Sequence, residues 1–144
     1  MISLEKILNE LFKNNAPISN YANMSAYIYN NFSDLNWAGF YFVHNNELIL
    51  GPFQGNIACT KIPYGKGVCG TCFKEQKTIV VDNVLEFKGH IACDSNSRSE
   101  ICIPVFKNNV MVALLDIDAP IYNRFDNDFK LKLEKAVKIL ENHI

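Results

Sequence analysis

Long apolar runs, an excess of charge of either sign and metal-finger cysteine spacing are all missing from this 144-residue chain. No stretch approaches the roughly 20 apolar residues that cross a bilayer. The N-terminal MISLEKILNELF is broken by Glu5 and Lys6, so it lacks the uninterrupted apolar segment of a secretory signal. These absences point to a cytoplasmic protein with no membrane partner. The formal charge is -1, with 14 basic and 15 acidic residues interspersed. That leaves no basic face for nucleic acid, and a small neutral or zwitterionic partner is more natural. The five cysteines and His90 form no paired C-x-x-C…C-x-x-C or C-x-x-C…H-x-x-x-H spacing, which argues against zinc, and no bound cofactor is expected. Repeats and linkers are absent as well. A single domain, 1–144, fits a chain that is 49% apolar, and such a domain buries roughly two-thirds of its unfolded surface.

What the chain does have is cysteine in unusual places. In a reducing compartment the five cysteines rest as thiols, and a disulfide is transient and catalytic rather than structural. Cys59, Cys69 and Cys93 sit in glycine-punctuated, Asn- and Ser-flanked segments where turns are expected, not in core-building apolar runs. Cys69 follows Gly65, Lys66 and Gly67 and falls in the first turn of a short helix, GVCGTCFKEQ, where free amides and the helix dipole favour a thiolate. Cys72 completes a C-G-T-C pair, but an antiparallel hairpin precedes it instead of the first strand of a βαβ unit, so a thioredoxin fold is the wrong context. Cys93 lies in the polar loop FKGHIACDSNSRSE beside His90 and Asp94, and Cys102, in EICIPV, reads as a small core residue.

Periodicity supplies the frame. Ser3 caps a first helix with Leu4, Ile7, Leu8, Leu11 and Phe12 at helical spacing, and Ser19 is placed as the cap of a second reaching Phe32. WAGFYFVH and ELIL flank an Asn45-Asn46 turn, and EICIPVF and VMVALLDID flank Asn108-Asn109. Both read as β-hairpins, with TIVV at 78–81 a further strand. Phe129, Leu133, Ala136, Val137 and Leu140 form the stripe of a last helix. The implied fold is α+β: a central, mostly antiparallel sheet with the N- and C-terminal helices on one face and the cysteine-bearing loops on the other.

Two features gather near those loops. Asp116 and Asp118 share a face at the end of a strand, and the turn at 108–109 sets residues 99–101 opposite 116–118, so Glu100 joins them. Trp37 and Tyr41 share a face of the first strand, with Gly39 between them leaving room for a ligand. An aromatic wall, carboxylates able to hold an ammonium or deliver a proton, and loop thiols together describe a pocket.

The segments GPFQGNIACTKIPYGKGVCGTC, GHIACDSNSRSEI and LLDIDAP resemble the free methionine-(R)-sulfoxide reductases, stand-alone enzymes of the GAF-domain class. The resemblance implies a GAF-like fold and reduction of the R epimer of free methionine sulfoxide, with thioredoxin as external reductant and a homodimeric state. It assigns attack to Cys93 and resolution to Cys59 or Cys69. It makes Glu100, Asp116 and Asp118 the acidic positions of the pocket and Trp37 and Tyr41 its aromatic wall, with Asp94 of IACDS beside the substrate. Helix position alone would make Cys69 the most acidic thiol. Cys72 and Cys102 depart from the family pattern, and Cys72 adds a second possible partner for Cys69. A non-catalytic GAF-type small-molecule sensor and a thiol-based peroxide sensor are the rival readings.

Overall fold

Ser3 opens the first helix as expected. In the computed structural model, which describes residues 1–90 and 93–144, its hydroxyl accepts from Lys6 N at 3.2 Å and caps α1 (Leu4–Phe12). Ile91 and Ala92, the first two residues of the IACDS motif, lie outside the described residues. The second helix, α2 (Pro17–Asn31), starts earlier than expected. Its N-cap is Ala16, not Ser19, because Pro17 supplies a first helical position whose missing N–H would have had no partner and whose fixed φ already suits a helix.

Both Asn-Asn pairs make the predicted turns, with all four residues at φ between 50° and 64°. Asparagine tolerates this left-handed region, and a two-residue turn with both φ positive matches the twist of the strands it joins. The first turn links β1 (Trp37–His44) to β2 (Glu47–Gly55), which runs past ELIL to the end of GPFQG. Three-residue β3 (Lys61–Pro63), too short for a periodicity signal, pairs with β2. After α3 (Gly67–Glu75) and β4 (Ile79–Val81) come β5 (Ser99–Lys107), β6 (Val110–Ala119) and α4 (Asn127–Glu141), which Asp126 caps through Phe129 N. Among the described residues the six strands form one antiparallel sheet in the order β3-β2-β1-β6-β5-β4.

The sheet has two unlike faces. Ala38, Phe40, Ile101, Ile103, Leu115 and Ile117 face α1, α2 and α4 and pack with Phe12, Met24, Ile28, Leu133 and Leu140. The predicted stripe of α4 is buried here throughout. Trp37, Tyr41, Leu48, Cys102 and Leu114 face the other way, toward α3 and the loops, so the expected division of helices and loops is met. Register between β5 and β6 shifts by one residue at Val112: Phe106 pairs with Met111 but Val105 pairs with Ala113. Among the described residues no helix is long and apolar enough to cross a membrane.

One buried amide ties the helical face together. Asn20, 0% exposed, donates from Nδ2 to Phe12 O at the end of α1 and to His143 O beyond α4, each at 3.1 Å. Asn20→Ala removes the donor for both carbonyls, and leaving a buried polar group unsatisfied costs about 1–3 kcal/mol. Urea unfolding of the variant is expected to show a loss of at least that size. An unchanged midpoint would remove Asn20 from this role.

Candidate active site

Residues directly opposite in an antiparallel ladder share a face, so the register builds the site row by row. Across β4, β5, β6 and β1 one row runs Val81, Glu100, Asp118, Trp37, and the next runs Ile79, Cys102, Asp116, Gly39. A third places Tyr41 opposite Leu114. The three carboxylates and both aromatics therefore converge as the sequence suggested. Cys102 joins them, which the sequence reading missed. Its signal was the spacing: two residues from Glu100 on one strand means the same face.

Over this floor lies α3. A Cβ on Gly70 would stand 2.7 Å from Pro63 O, so glycine lets the first turn of the helix close against the end of β3. That approach carries Cys69 to the floor. Its Sγ is 3.3 Å from Cys102 Sγ and 3.8 Å from Glu100 Oε2, while Cys102 directs its S–H at Asp116 Oδ1, 3.3 Å away. The thiol that meets Cys69 is thus Cys102 and not Cys72. Gly39 also differs from expectation. A Cβ there would fall 2.3 Å from Phe53 Cβ and 2.8 Å from the Trp37 ring, so the glycine makes room for the indole rather than for a ligand.

The aromatic wall holds the first cysteine loop. Trp37 stacks between Tyr41 and Phe53, its Nε1 donates to Asn56 O at 3.0 Å, and Tyr41 OH donates to Cys59 O at 2.8 Å. Cys59 is disulfide-bonded to Cys93, with Cα atoms 5.5 Å apart. The second loop is fastened by Asn36, whose Nδ2 donates to Asp94 Oδ2 and to Ser97 Oγ, each at 3.1 Å, and whose N donates to Asp118 O. Asn36 and Ser97 carried no sequence signal, since loop-to-strand contacts have no local pattern. Trp37, Tyr41, Cys69, Cys93, Asp94, Glu100, Asp116 and Asp118 all border one cavity, together with Lys66 and His90. Cys59 reaches it through its bond to Cys93.

Burial governs the electrostatics of this floor. Desolvation raises the carboxyl of Glu100 well above 4.5, and the charges of Asp116 and Asp118 push the same way. Asp118 is likewise held well up, by burial and by Asp116, and Asp116 is raised less because it accepts hydrogen bonds. His90 is lowered by burial and stands 3.9 Å from Glu100 Oε1, too far for a hydrogen bond, so the acid and the imidazole are both shifted toward their neutral forms. Tyr41 is raised by burial and keeps the proton it donates to the Cys59 loop.

The expected low pKa of Cys69 is overturned. Burial pushes this thiol from 9.0 up to about 12, with Asp116 and Asp118 adding to the rise and the contact with the Cys102 sulfur only partly opposing it. That disfavours the thiolate by on the order of 4 kcal/mol. A helix N-terminus supplies about 0.3–2 kcal/mol in the other direction. Desolvation wins, and burial leaves Cys69 a weaker acid than its helix position alone implies.

A carboxyl that keeps its proton in the folded chain but ionises at 4.5 when unfolded makes stability fall as pH rises from 4.5 through the raised folded value; below 4.5 the stability is fully present. Glu100→Gln keeps the shape and cannot ionise. Urea unfolding of the reduced protein at mildly acidic and mildly alkaline pH is expected to show a flatter decline in this variant. A decline as steep as that of the parent chain would mean that Glu100 ionises freely in the fold.

Residues 3–141 match the model of the GAF domain family. The free methionine-R-sulfoxide reductase of Escherichia coli is 45% identical over 120 residues, covering 83% of this chain and 73% of that protein. The solved structure of reduced fRMsr from Staphylococcus aureus superposes with a TM-score of 0.94 at 52% identity, covering 97% of this chain and 92% of that one. The free methionine-R-sulfoxide reductase of Neisseria meningitidis, solved in complex with its substrate, gives a TM-score of 0.93 at 38% identity, over 97% and 85% of the two chains. A GAF match along nearly the full length, joined to this identity with the reductases, makes the chain a member of the GAF-domain family of free methionine-R-sulfoxide reductases.

Proposed function

We propose that the chain reduces free methionine-(R)-sulfoxide to methionine, with Cys93 as nucleophile and Cys59 as the thiol that resolves it. The observation that carries this reading is the Cys59–Cys93 bond at the edge of a cavity whose floor is built of buried carboxyls. Named relatives in two bacteria, one solved with its substrate, give it independent support.

The chemistry balances as follows. The Cys93 thiolate attacks the sulfoxide sulfur while a floor carboxyl protonates the oxygen, and methionine leaves with Cys93 as a sulfenic acid. Glu100 is the preferred acid, since burial and two neighbouring carboxyls raise its hold on a proton. Cys59 then attacks the sulfenic sulfur, water departs and the disulfide forms. One sulfoxide and two thiols have become one thioether, one disulfide and one water. An external dithiol of the thioredoxin class returns the pair to thiols. Trp37 and Tyr41 serve as the wall for the methyl end of the substrate, and Asp94 as an acceptor for its ammonium.

With the disulfide closed the cavity measures about 30 Å3, room for two or three waters at about 10–15 Å3 each. An amino acid does not fit that space, so substrate enters the reduced form. Such a cycle suits a reducing cytoplasm and needs no bound cofactor. A homodimer is the assembly we favour.

A single-cycle assay without added reductant tests the roles. Cys93→Ser is expected to release no methionine. Cys59→Ser is expected to release one methionine per chain and to leave Cys93 as a sulfenic acid that a dimedone reagent captures. Cys69→Ser is expected to form the disulfide as the parent chain does. Methionine released by Cys93→Ser at the normal rate would overturn the nucleophile, and a Cys69→Ser chain that forms no disulfide would move resolution from Cys59 to Cys69. Thiols lost to peroxide but not to the sulfoxide would make the protein a peroxide sensor.

A further inference from the structure

We infer that the reduced chain binds one thiophilic divalent ion of the zinc class on the cavity floor, between Cys69, Cys102, Asp116 and Glu100, and that the bound ion inhibits turnover. The inhibition rests on the function proposed above. The binding does not.

Geometry is the first support. One ligand atom from each of the four residues lies within 4.8 Å of all the others. The closest separations are 3.3 Å for Cys69 to Cys102 and for Cys102 to Asp116, with Glu100 Oε2 at 3.7 Å from Cys102 and 3.8 Å from Cys69. A tetrahedral zinc with bonds of about 2.0–2.3 Å holds its ligands roughly 3.3–3.8 Å apart, so the set is already near the required shape. The donors come from a helix and two paired strands, elements that fix side chains better than loops do.

Donor chemistry is the second. Two thiols beside two carboxyls select zinc-like ions over magnesium or calcium, which take oxygen alone. All four residues are buried, and from the described part of the 82–98 loop His90 stands 3.9 Å from Glu100, its pKa lowered by burial. The cluster therefore collects four acidic groups, and among the described residues no ion pair joins them to a lysine or arginine. An incoming divalent ion displaces to the buffer the protons of the two thiols and any proton held by Glu100 or Asp116, and each is replaced by a metal-sulfur or metal-oxygen bond. Local motifs could not reveal such a site, because Cys69 and Glu100 are separated by 31 positions and Cys102 and Asp116 by 14. An ion held there takes the acid that protonates the sulfoxide oxygen and fills the floor of the cavity.

Cobalt(II) is the probe. Titrated into reduced, chelator-treated protein, it is expected to bind one ion per chain with thiolate-to-cobalt charge transfer and tetrahedral visible bands, and zinc is expected to displace it. Cys102→Val should weaken binding by more than the roughly 10–100-fold that losing an outer-shell partner costs. A Cys59→Ser/Cys93→Ser double variant should keep the spectrum. Absence of charge transfer in the parent chain would overturn the site. So would a spectrum kept by Cys102→Val and lost by the double variant, which would put the ion on the loop thiols. Far-ultraviolet dichroism and thermal melting check that Cys102→Val folds, and Asp116→Asn, which leaves both sulfurs in place, is a second variant expected to bind more weakly. In the single-cycle assay zinc should lower the methionine yield of the parent chain by a larger factor than that of Cys102→Val. Equal factors would overturn the inhibition. Cobalt binding as described in a chain that never reduces the sulfoxide would sink the functional reading and leave the metal site standing.

Discussion

Val112 is an extra residue in β6, and the chemistry of the site depends on it. From the Asn108-Asn109 turn the ladder begins with Lys107 opposite Val110 and Phe106 opposite Met111, then resumes with Val105 opposite Ala113. Val112 and Ala113 both lie toward the helix-covered core, and the alternation of β6 is inverted beyond them. Had the pairing continued unshifted from the turn, Glu100 would face Ile117, and Asp116 and Asp118 would share a face with Ile101. Two carboxylates would then have been driven into the core packed by α1, α2 and α4. One unpaired residue near the turn decides which side of the sheet holds the acids.

Gathering acids in that way creates a conflict that the protein settles with protons. An ionised carboxylate out of water is penalised by several kcal/mol unless it is paired. Lys66 borders the cavity, yet no ion pair joins it to the floor among the described residues. The carboxyls and thiols consequently hold their protons more tightly than they would in water, Glu100, Asp118, Cys69 and Cys102 all being displaced upward by burial. The burial that costs the fold stability as pH rises is the same thing that raises the proton affinity of these acids.

Local signals carried a large part of this into the sequence. The stripe of α4, the Ser3 cap, both Asn-Asn turns and the approach of residues 99–101 to 116–118 depend on residues near one another in the chain or joined by a tight turn, whereas the shift at Val112 that sets Glu100 opposite Asp118 carried no such signal. Pro17 displaced the predicted start of α2 because a proline at the first helical position competes with a serine cap two residues later. What escaped was non-local. Cys69 was read from its helix position as an acidic thiol, but its burial comes from β5 and β6, more than thirty residues away. Cys102 was read as core because its strand is apolar, although its partners sit on α3 and β6. β3 is too short to carry a period, and the hydrogen bonds from Asn36 to the Cys93 loop leave no trace in either segment.

The separation between the two sulfur pairs follows from incompatible demands on proton affinity. A nucleophilic thiol needs a low pKa, which means nearby positive charge or water and distance from carboxylates. A general acid working at neutral pH needs the reverse: a carboxyl out of water with like charges around it. No single environment supplies both, and Cys69 shows the outcome when a thiol is placed among the acids. The remedy is spatial. Glu100, Asp116 and Asp118 are fixed on paired strands at the bottom of the cavity, while Cys59 and Cys93 are carried on loops at its half-buried edge, anchored by Tyr41 and Asn36. The aromatic wall follows the same register: Trp37 stands in the row of Asp118 and Glu100, and Tyr41, stacked on Trp37, stands opposite Leu114 in the third row, on the same face of the sheet.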